Sequence, residues 1–152
     1  MTRAASVEPL GPTECRRLMA TARLARVGFT DGAMPAIVPV RFAMHDDCAL
    51  VLAPRAGALV AGVRGSVVVL QVDSFRDDLG PGWSVTAVGP SRVVVAAHEV
   101  ARIDALGLLS RTSDPDACYI RVQLGMLSGW RVGPPAPAQT SASTSADEAA
   151  MT

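Results

Sequence analysis

All basic side chains in this sequence are arginines: fourteen Arg and no Lys among 152 residues. Arginine holds phosphate and carboxylate groups in a bidentate fashion. A Schiff base or a lysine–phosphate contact has no residue here to make it. Cys15, Cys48 and Cys118 are widely spaced and form no CxxC pair, so neither a zinc site nor a disulfide framework is supported; buried apolar thiols are expected. His45 falls in a turn and His98 at a helix start, without a Cys, Asp or Glu at ligand spacing, and His98-Glu99 lacks the second His of a zincin motif. Both are read as solvated histidines, and no metal is expected. Asp73, Ser74, Asp77 and Asp78 form an acidic loop, read as solvated. There is no Ser–His–Asp grouping, no Walker loop and no GxGxxG.

The elements that must position any site are those of one domain, since 152 residues suit one and hardly two. Nearly half the residues are hydrophobic but only 4% are aromatic, so Val, Leu, Ala and Ile must build the core. The net charge is zero and no Lys/Arg cluster is interleaved with aromatics, which argues against nucleic acid as a partner. No run reaches about 18 apolar residues, so no membrane helix is expected. The first nine residues lack the apolar stretch of a secretory signal, and a cytoplasmic location is expected.

Residues 1–10 read as a flexible arm. Gly11-Pro12-Thr13 starts a helix, with Pro in the first turn and Thr13 as a cap. Cys15, Leu18, Met19 and Ala22 make its apolar stripe. From Leu24 the period becomes two, and Asp31-Gly32 signals a hairpin. A strand over 34–44 follows, irregular or at an edge because Pro35 and Pro39 lack a ladder donor. Another runs over 49–52. A short helix over 58–63 leads to the apolar run 66–72, which predicts a strand buried on both faces. Two strand segments, 83–88 and 92–95, are joined at Gly89-Pro90. A helix over 97–109 then gives way to an alternating strand, Cys118 to Leu124, and a last strand over 127–132. After Gly133, residues 134–152 are Pro, Ala, Ser, Thr and acidic residues, too poor in large apolar groups to offset ordering entropy, so a disordered tail is expected. Mostly antiparallel β-structure with peripheral helices implies a small barrel.

Six motifs in this order resemble the actinobacterial branch of the pyridoxamine 5′-phosphate oxidase-like family, whose members share an FMN-binding split barrel. They are Glu14-Cys15; Ala25-Arg26-Val27-Gly28-Phe29-Thr30 with Asp31-Gly32 and Pro35; Val38-Pro39-Val40-Arg41-Phe42; Gly82-Trp83-Ser84-Val85 with Gly89; His98-Glu99 followed by Tyr119-Ile120-Arg121-Val122; and Ser128-Gly129-Trp130-Arg131-Val132. Together they span residues 11–133. The resemblance implies a mainly β, Greek-key-like antiparallel split barrel with short peripheral helices. It also implies a homodimer with two flavin sites at its interface.

By the same analogy the flavin ring lies against Pro39, Val40, Arg41 and Phe42, and near Trp83 and Ser84. The phosphate is held from the strand end and loop at 52–59. There the chain departs from the family: related members show Arg-Thr and then Gly-Ser-Lys, where this chain has Ala53-Pro54 and then Gly57-Ala58-Leu59. Arg41 and Arg55 are the substitute phosphate clamps, with Arg64 a weaker third.

Three functions compete. The first is an FMN-dependent oxidoreductase acting on a small molecule. The second is a non-catalytic split-barrel dimer that has lost FMN and binds another ligand. The third is a deazaflavin-dependent reductase, favoured if Arg41, Arg55 and Arg64 gather around one opening.

Overall fold

The computed structural model describes residues 6–77, 80–112 and 114–133. The tail expected at 134–152 and the first half of the expected arm lie outside the described residues, as does Asp78 of the acidic loop. The elements are β1 (Val7–Pro9), α1 (Pro12–Met19), β2 (Leu24–Asp31), β3 (Met34–His45), β4 (Cys48–Pro54), α2 (Ala58–Gly62), β5 (Val67–Phe75), β6 (Gly82–Val93), α3 (Ala97–Leu106), β7 (Ala117–Gln123) and β8 (Met126–Val132). Six strands close an antiparallel barrel in the order β6-β5-β2-β3-β4-β7, with β7 returning to β6. β8 branches off β6, and β1 pairs with β8. This is the mainly β barrel with short helices that the element order and the resemblance implied.

The barrel closes because β6 changes partners along its length. Gly82 to Val88 pair with β8, and Ser91 to Val93 pair with β7. The switch falls at Gly89, where a Cβ would overlap the carbonyl oxygen of Gln123. The sequence reading took Gly89-Pro90 as a break between two strands. The structure instead shows one long strand bent across two sheets, a positional use of glycine at a barrel corner.

Other differences have equally local causes. Val7–Pro9, read as part of a loose arm, pairs with Val132, Arg131 and Trp130. α1 is capped by the Gly11 backbone with no side-chain hydrogen bond, so Thr13 is not its cap. The β2–β3 loop is Gly32-Ala33, with Asp31 pairing to Met34; Gly32 has φ +61°, as expected of the first loop residue in a type II′ hairpin. Pro35 and Pro39 fall where β3 has one neighbour, since β2 pairs with 34–41 and β4 only with 41–45. Their missing donors therefore cost no ladder bond. α3 stops at Leu106 because Gly107 takes a left-handed C-cap, φ 66°.

The barrel interior is filled by small aliphatic side chains, among them Val27, Val51, Leu70, Val85 and Val122, with Phe42 the large one. α1 adds Cys15, Leu18 and Met19 to it. A second cluster lies outside the barrel, where α3 covers β4 and β7 through Ile103, Leu50, Leu52 and Tyr119. This explains why β4 is buried on both faces and why Tyr119, placed on the wet side of its strand by alternation, is fully buried. All three cysteines are free and buried, as expected. No helix among the described residues is long and apolar enough to cross a membrane.

Candidate functional site

The strand β5 departs from its sequence reading, and the departure exposes the site. The run 66–72 was expected to be buried on both faces. Val68, Leu70 and Val72 do enter the core, but Val67 is 65% exposed and Val69 39%. These two valines belong to a broad outer face of the barrel. Pairing across it runs Met126–Val88–Val69–Gly28–Ile37 in one row and Ser128–Thr86–Gln71–Arg26–Pro39 in the next. Ile37 is 73% exposed and Met126 72%. An exposed apolar face of this extent is a candidate binding surface.

A cavity of about 510 Å³ opens on this face. Its walls are apolar: Pro35, Ala36, Ile37, Val67 and Val69, with Gly28 between Ile37 and Val69 leaving a slot. Arg26 and Gln71 line its polar end. Beside them, Gln71 Nε2 donates to Asp73 Oδ2 at 2.7 Å and to Ser84 Oγ at 3.2 Å. Arg26 stands 3.7 Å from Asp73 Oδ2. Apolar walls with a few converging polar groups are what a flat, heteroatom-edged ligand needs.

The expected site residues divide by strand alternation. Pro39 and Ser84 fall on the outer face, one on each side of the Arg26–Gln71–Asp73 group. Val40 and Phe42 turn into the core, 6% and 1% exposed. Trp83 also faces inward, packing against the core and lining a separate depression with Phe75 and Arg131. Arg41 is exposed and lines a different cavity, where its Nη2 lies 3.5 Å from the Ser110 carbonyl. Arg55 is exposed in the β4–α2 turn and Arg64 in the turn before β5. No described cavity gathers Arg41, Arg55 and Arg64 together. Ala53 and Leu59, where the resemblance led to an expectation of polar groups, are core residues.

Sequence reasoning missed Arg26, Ile37, Val67, Val69 and Gln71. The signal was present in the apolar run of β5: a barrel strand has one inward face, so continuous hydrophobicity means that the outward one is also to be covered.

Another group of charges ties α3 to the barrel. Arg92 grips Glu99 through both terminal nitrogens, at 3.1 and 2.5 Å, and Arg121 Nε stands 3.5 Å from the same carboxylate. Arg121 Nη1 also donates to Cys48 Sγ at 3.0 Å. Burial nonetheless pushes the Cys48 thiol up, outweighing the nearby arginine, so it stays protonated rather than reactive. Among the described residues no three His, Cys, Asp or Glu side chains come together as metal ligands.

Comparison with known proteins places the chain. A family model described as pyridoxamine 5′-phosphate oxidase matches residues 12–129. No curated protein matches the sequence at a significant level. Among solved structures, an FAD-binding protein from Mycobacterium smegmatis is 25% identical, with a TM-score of 0.67 over 82% of this chain and 96% of its own. An FAD-binding protein from Mesorhizobium loti, 21% identical, superposes with a TM-score of 0.72 over 86% of this chain and 99% of its own. A pyridoxamine 5′-phosphate oxidase-like protein from Corynebacterium glutamicum, also 21% identical, gives 0.71 over 84% and 94%. These last two likenesses speak for the fold. With the barrel, the motif order and a family match over most of its length, this chain belongs to the pyridoxamine 5′-phosphate oxidase family.

Proposed function

We propose that the chain binds a flavin on the outer face of β2, β3 and β5 and acts as a flavin-dependent oxidoreductase on a small molecule. The observation that carries this reading is the 510 Å³ cavity with apolar walls and with Arg26 and Gln71 at one end, Gln71 being held by a hydrogen bond to Ser84 behind it. The donor set fits an isoalloxazine ring. Ile37, Val67 and Val69 offer apolar contact, and Gln71, oriented by Ser84, and Arg26 can meet the ring's nitrogens and oxygens. When bound, the flavin would supply hydride or electron transfer; the protein's part is to hold and orient it and to exclude water.

The phosphate end is poorer. Within 53–59 the one side chain able to clamp an anion is Arg55. This agrees with FMN as the first expected cofactor only if Arg55 or backbone N–H groups suffice. The similar mycobacterial protein binds FAD, which makes FAD the second cofactor to test. A second copy of the chain is the natural cover for the exposed face, because a self-complementary twofold contact would bury Ile37, Val67, Val69 and Met126. Pro39 and Ser84 would then lie inside the interface. The same face also supports a second reading, a dimer that has lost its flavin and binds another flat ligand, favoured by the buried Ala53 and Leu59 in the phosphate loop.

Titration of the purified chain with FMN, FAD and a deazaflavin, followed by fluorescence, tests these readings. Saturable binding of one flavin per chain supports the oxidoreductase. A preference for the deazaflavin transfers the site to the third reading. Failure of all three at tens of micromolar overturns redox function and leaves the flavin-free dimer.

A further inference from the structure

The cavity around Arg41 shares no lining residue with the one on the outer face, and its chemistry is different. We propose that this second cavity binds a small organic anion with an apolar body, its carboxylate or phosphate head held by Arg23 and Arg41. The inference does not rest on the flavin reading.

The cavity encloses about 560 Å³, enough for a ligand of small-metabolite size. It forms where the barrel lattice stops. Leu24 is the first residue of β2 and pairs with Arg41, and one further bond runs from Phe42 N–H to the Arg23 carbonyl. Beyond that point β3 continues to His45 with β4 alone beside it. Strand alternation aims the backbone N–H and C=O of Met44 to the same side as those of Phe42, where β2 has no residue left to pair. The segment after α3, Gly107 to Ser110, roofs this open edge.

Three observations point to an anion. Arg23 and Arg41 are both exposed and both line the cavity, and among the described residues neither forms an ion pair. No Asp or Glu lines it. Asp104, the acid closest in sequence to this roof, is engaged by Arg111 and by the Tyr119 hydroxyl. The side chains of Met44, Leu108 and Leu109 give the wall an apolar part, while the Ser110 carbonyl, 3.5 Å from Arg41 Nη2, steadies that guanidinium at the rim. Two arginines beside a flexible thioether and two leucines suit an amphipathic anion and disfavour a cation or a sugar.

The test is calorimetric titration of the full chain with hydrocinnamate, phenyl phosphate and the neutral hydrocinnamamide, with FMN titrated in parallel. Saturable binding of hydrocinnamate or phenyl phosphate, with the amide at least about tenfold weaker, is expected. Arg23→Gln and Arg41→Gln should each weaken the anion about tenfold or more and leave any FMN binding unchanged. Leu109→Trp, which fills the cavity and keeps both arginines, should abolish anion binding while circular dichroism shows the fold intact. The proposal is overturned if neither anion binds, if the amide binds as well as the acid, or if both Gln variants weaken FMN in step with the anion. That last result would assign the arginines to the flavin phosphate.

Discussion

The Tyr119 hydroxyl donates a 2.6 Å hydrogen bond to Asp104 Oδ1, and this bond fastens α3 to the barrel wall. Arg111 completes the arrangement, reaching Asp104 with Nε at 3.0 Å and Nη2 at 2.6 Å while its guanidinium lies 5.4 Å from the Tyr119 ring centre. Burial, then the Asp104 carboxylate, pushes the phenol up to about 12, so Tyr119 remains a donor throughout the physiological range. Tyr119→Phe keeps the ring and removes the hydroxyl. It should lower stability by about 1–3 kcal/mol, as for a hydrogen bond to a charged group, measured by urea denaturation. An unchanged midpoint would show that Arg111 alone holds Asp104.

A second fastening carries a pH signature. Glu14 on α1 accepts from Arg17 at 2.8 and 2.6 Å and from Arg131 on β8 at 2.8 Å. These arginines, Arg17 foremost, hold its carboxyl at about 2 against an ordinary 4.5. A carboxylate depressed in the folded state stabilises above its unfolded pKa, and that stability drains away as pH falls through the folded value. The contribution of Glu14 is therefore complete above pH 4.5 and lost progressively toward pH 2. Glu14→Gln should melt earlier than the parent at pH 7, and the two melting temperatures should converge as pH falls across that window. Parallel curves would remove Glu14 from the acid response.

At the strand switch, Gly89→Ala places a methyl group on the Gln123 carbonyl, backbone against backbone. Neither strand can yield without opening the β6–β7 seam that closes the barrel. A loss of roughly 3 kcal/mol or more is expected, visible as a large drop in melting temperature. Gly11→Ala, with nothing within 4 Å of the added carbon, is the comparison and should cost only about 1 kcal/mol, the penalty of alanine at a helix N-cap.

The outer face makes an oligomeric prediction. Val69→Glu adds a charge at the centre of the exposed apolar row between Val88 and Gly28. It should leave the core intact, because Val69 points away from it, and convert a dimer into a monomer in sedimentation at micromolar concentration. A parent chain that already sediments as a monomer would remove the twofold cover from the proposed site.

Gln71→Ala and Ser84→Ala test the polar end of the same cavity. Each removes one side of a 3.2 Å contact and should weaken flavin binding about tenfold without altering the fold. Unchanged affinity in both variants would move the ring elsewhere.

The sequence by itself determined the kind of elements and their order. Period-two alternation in 24–30 and 118–124, and an i, i+3, i+4 stripe in Cys15, Leu18 and Met19, are local signals, and the strands and helix they predict are present. The Gly32 turn was legible to within one residue, because a two-residue hairpin demands a residue that tolerates positive φ. The lack of polar side chains at Ala53, Pro54, Ala58 and Leu59 was also legible, as it is a matter of which residue types are there.

Only the tertiary structure decided what depends on neighbours distant in sequence. Gly89 looked like a break and is a corner, because the Gln123 carbonyl that requires it lies 34 positions along the chain. Tyr119 alternates with the core-facing Ile120 and Val122 and is buried all the same, because α3 folds back over its strand. Val40 and Phe42 face the core while Pro39 and Ser84 face out, because closure of the barrel fixes which side of each strand is inside. Arg23 and Arg41 share a cavity because the β2–β3 ladder ends at the Leu24–Arg41 pair while β3 runs on beside β4. Local patterns state that a strand alternates; only the packing of six strands around one core states which half of the alternation is left to meet a ligand.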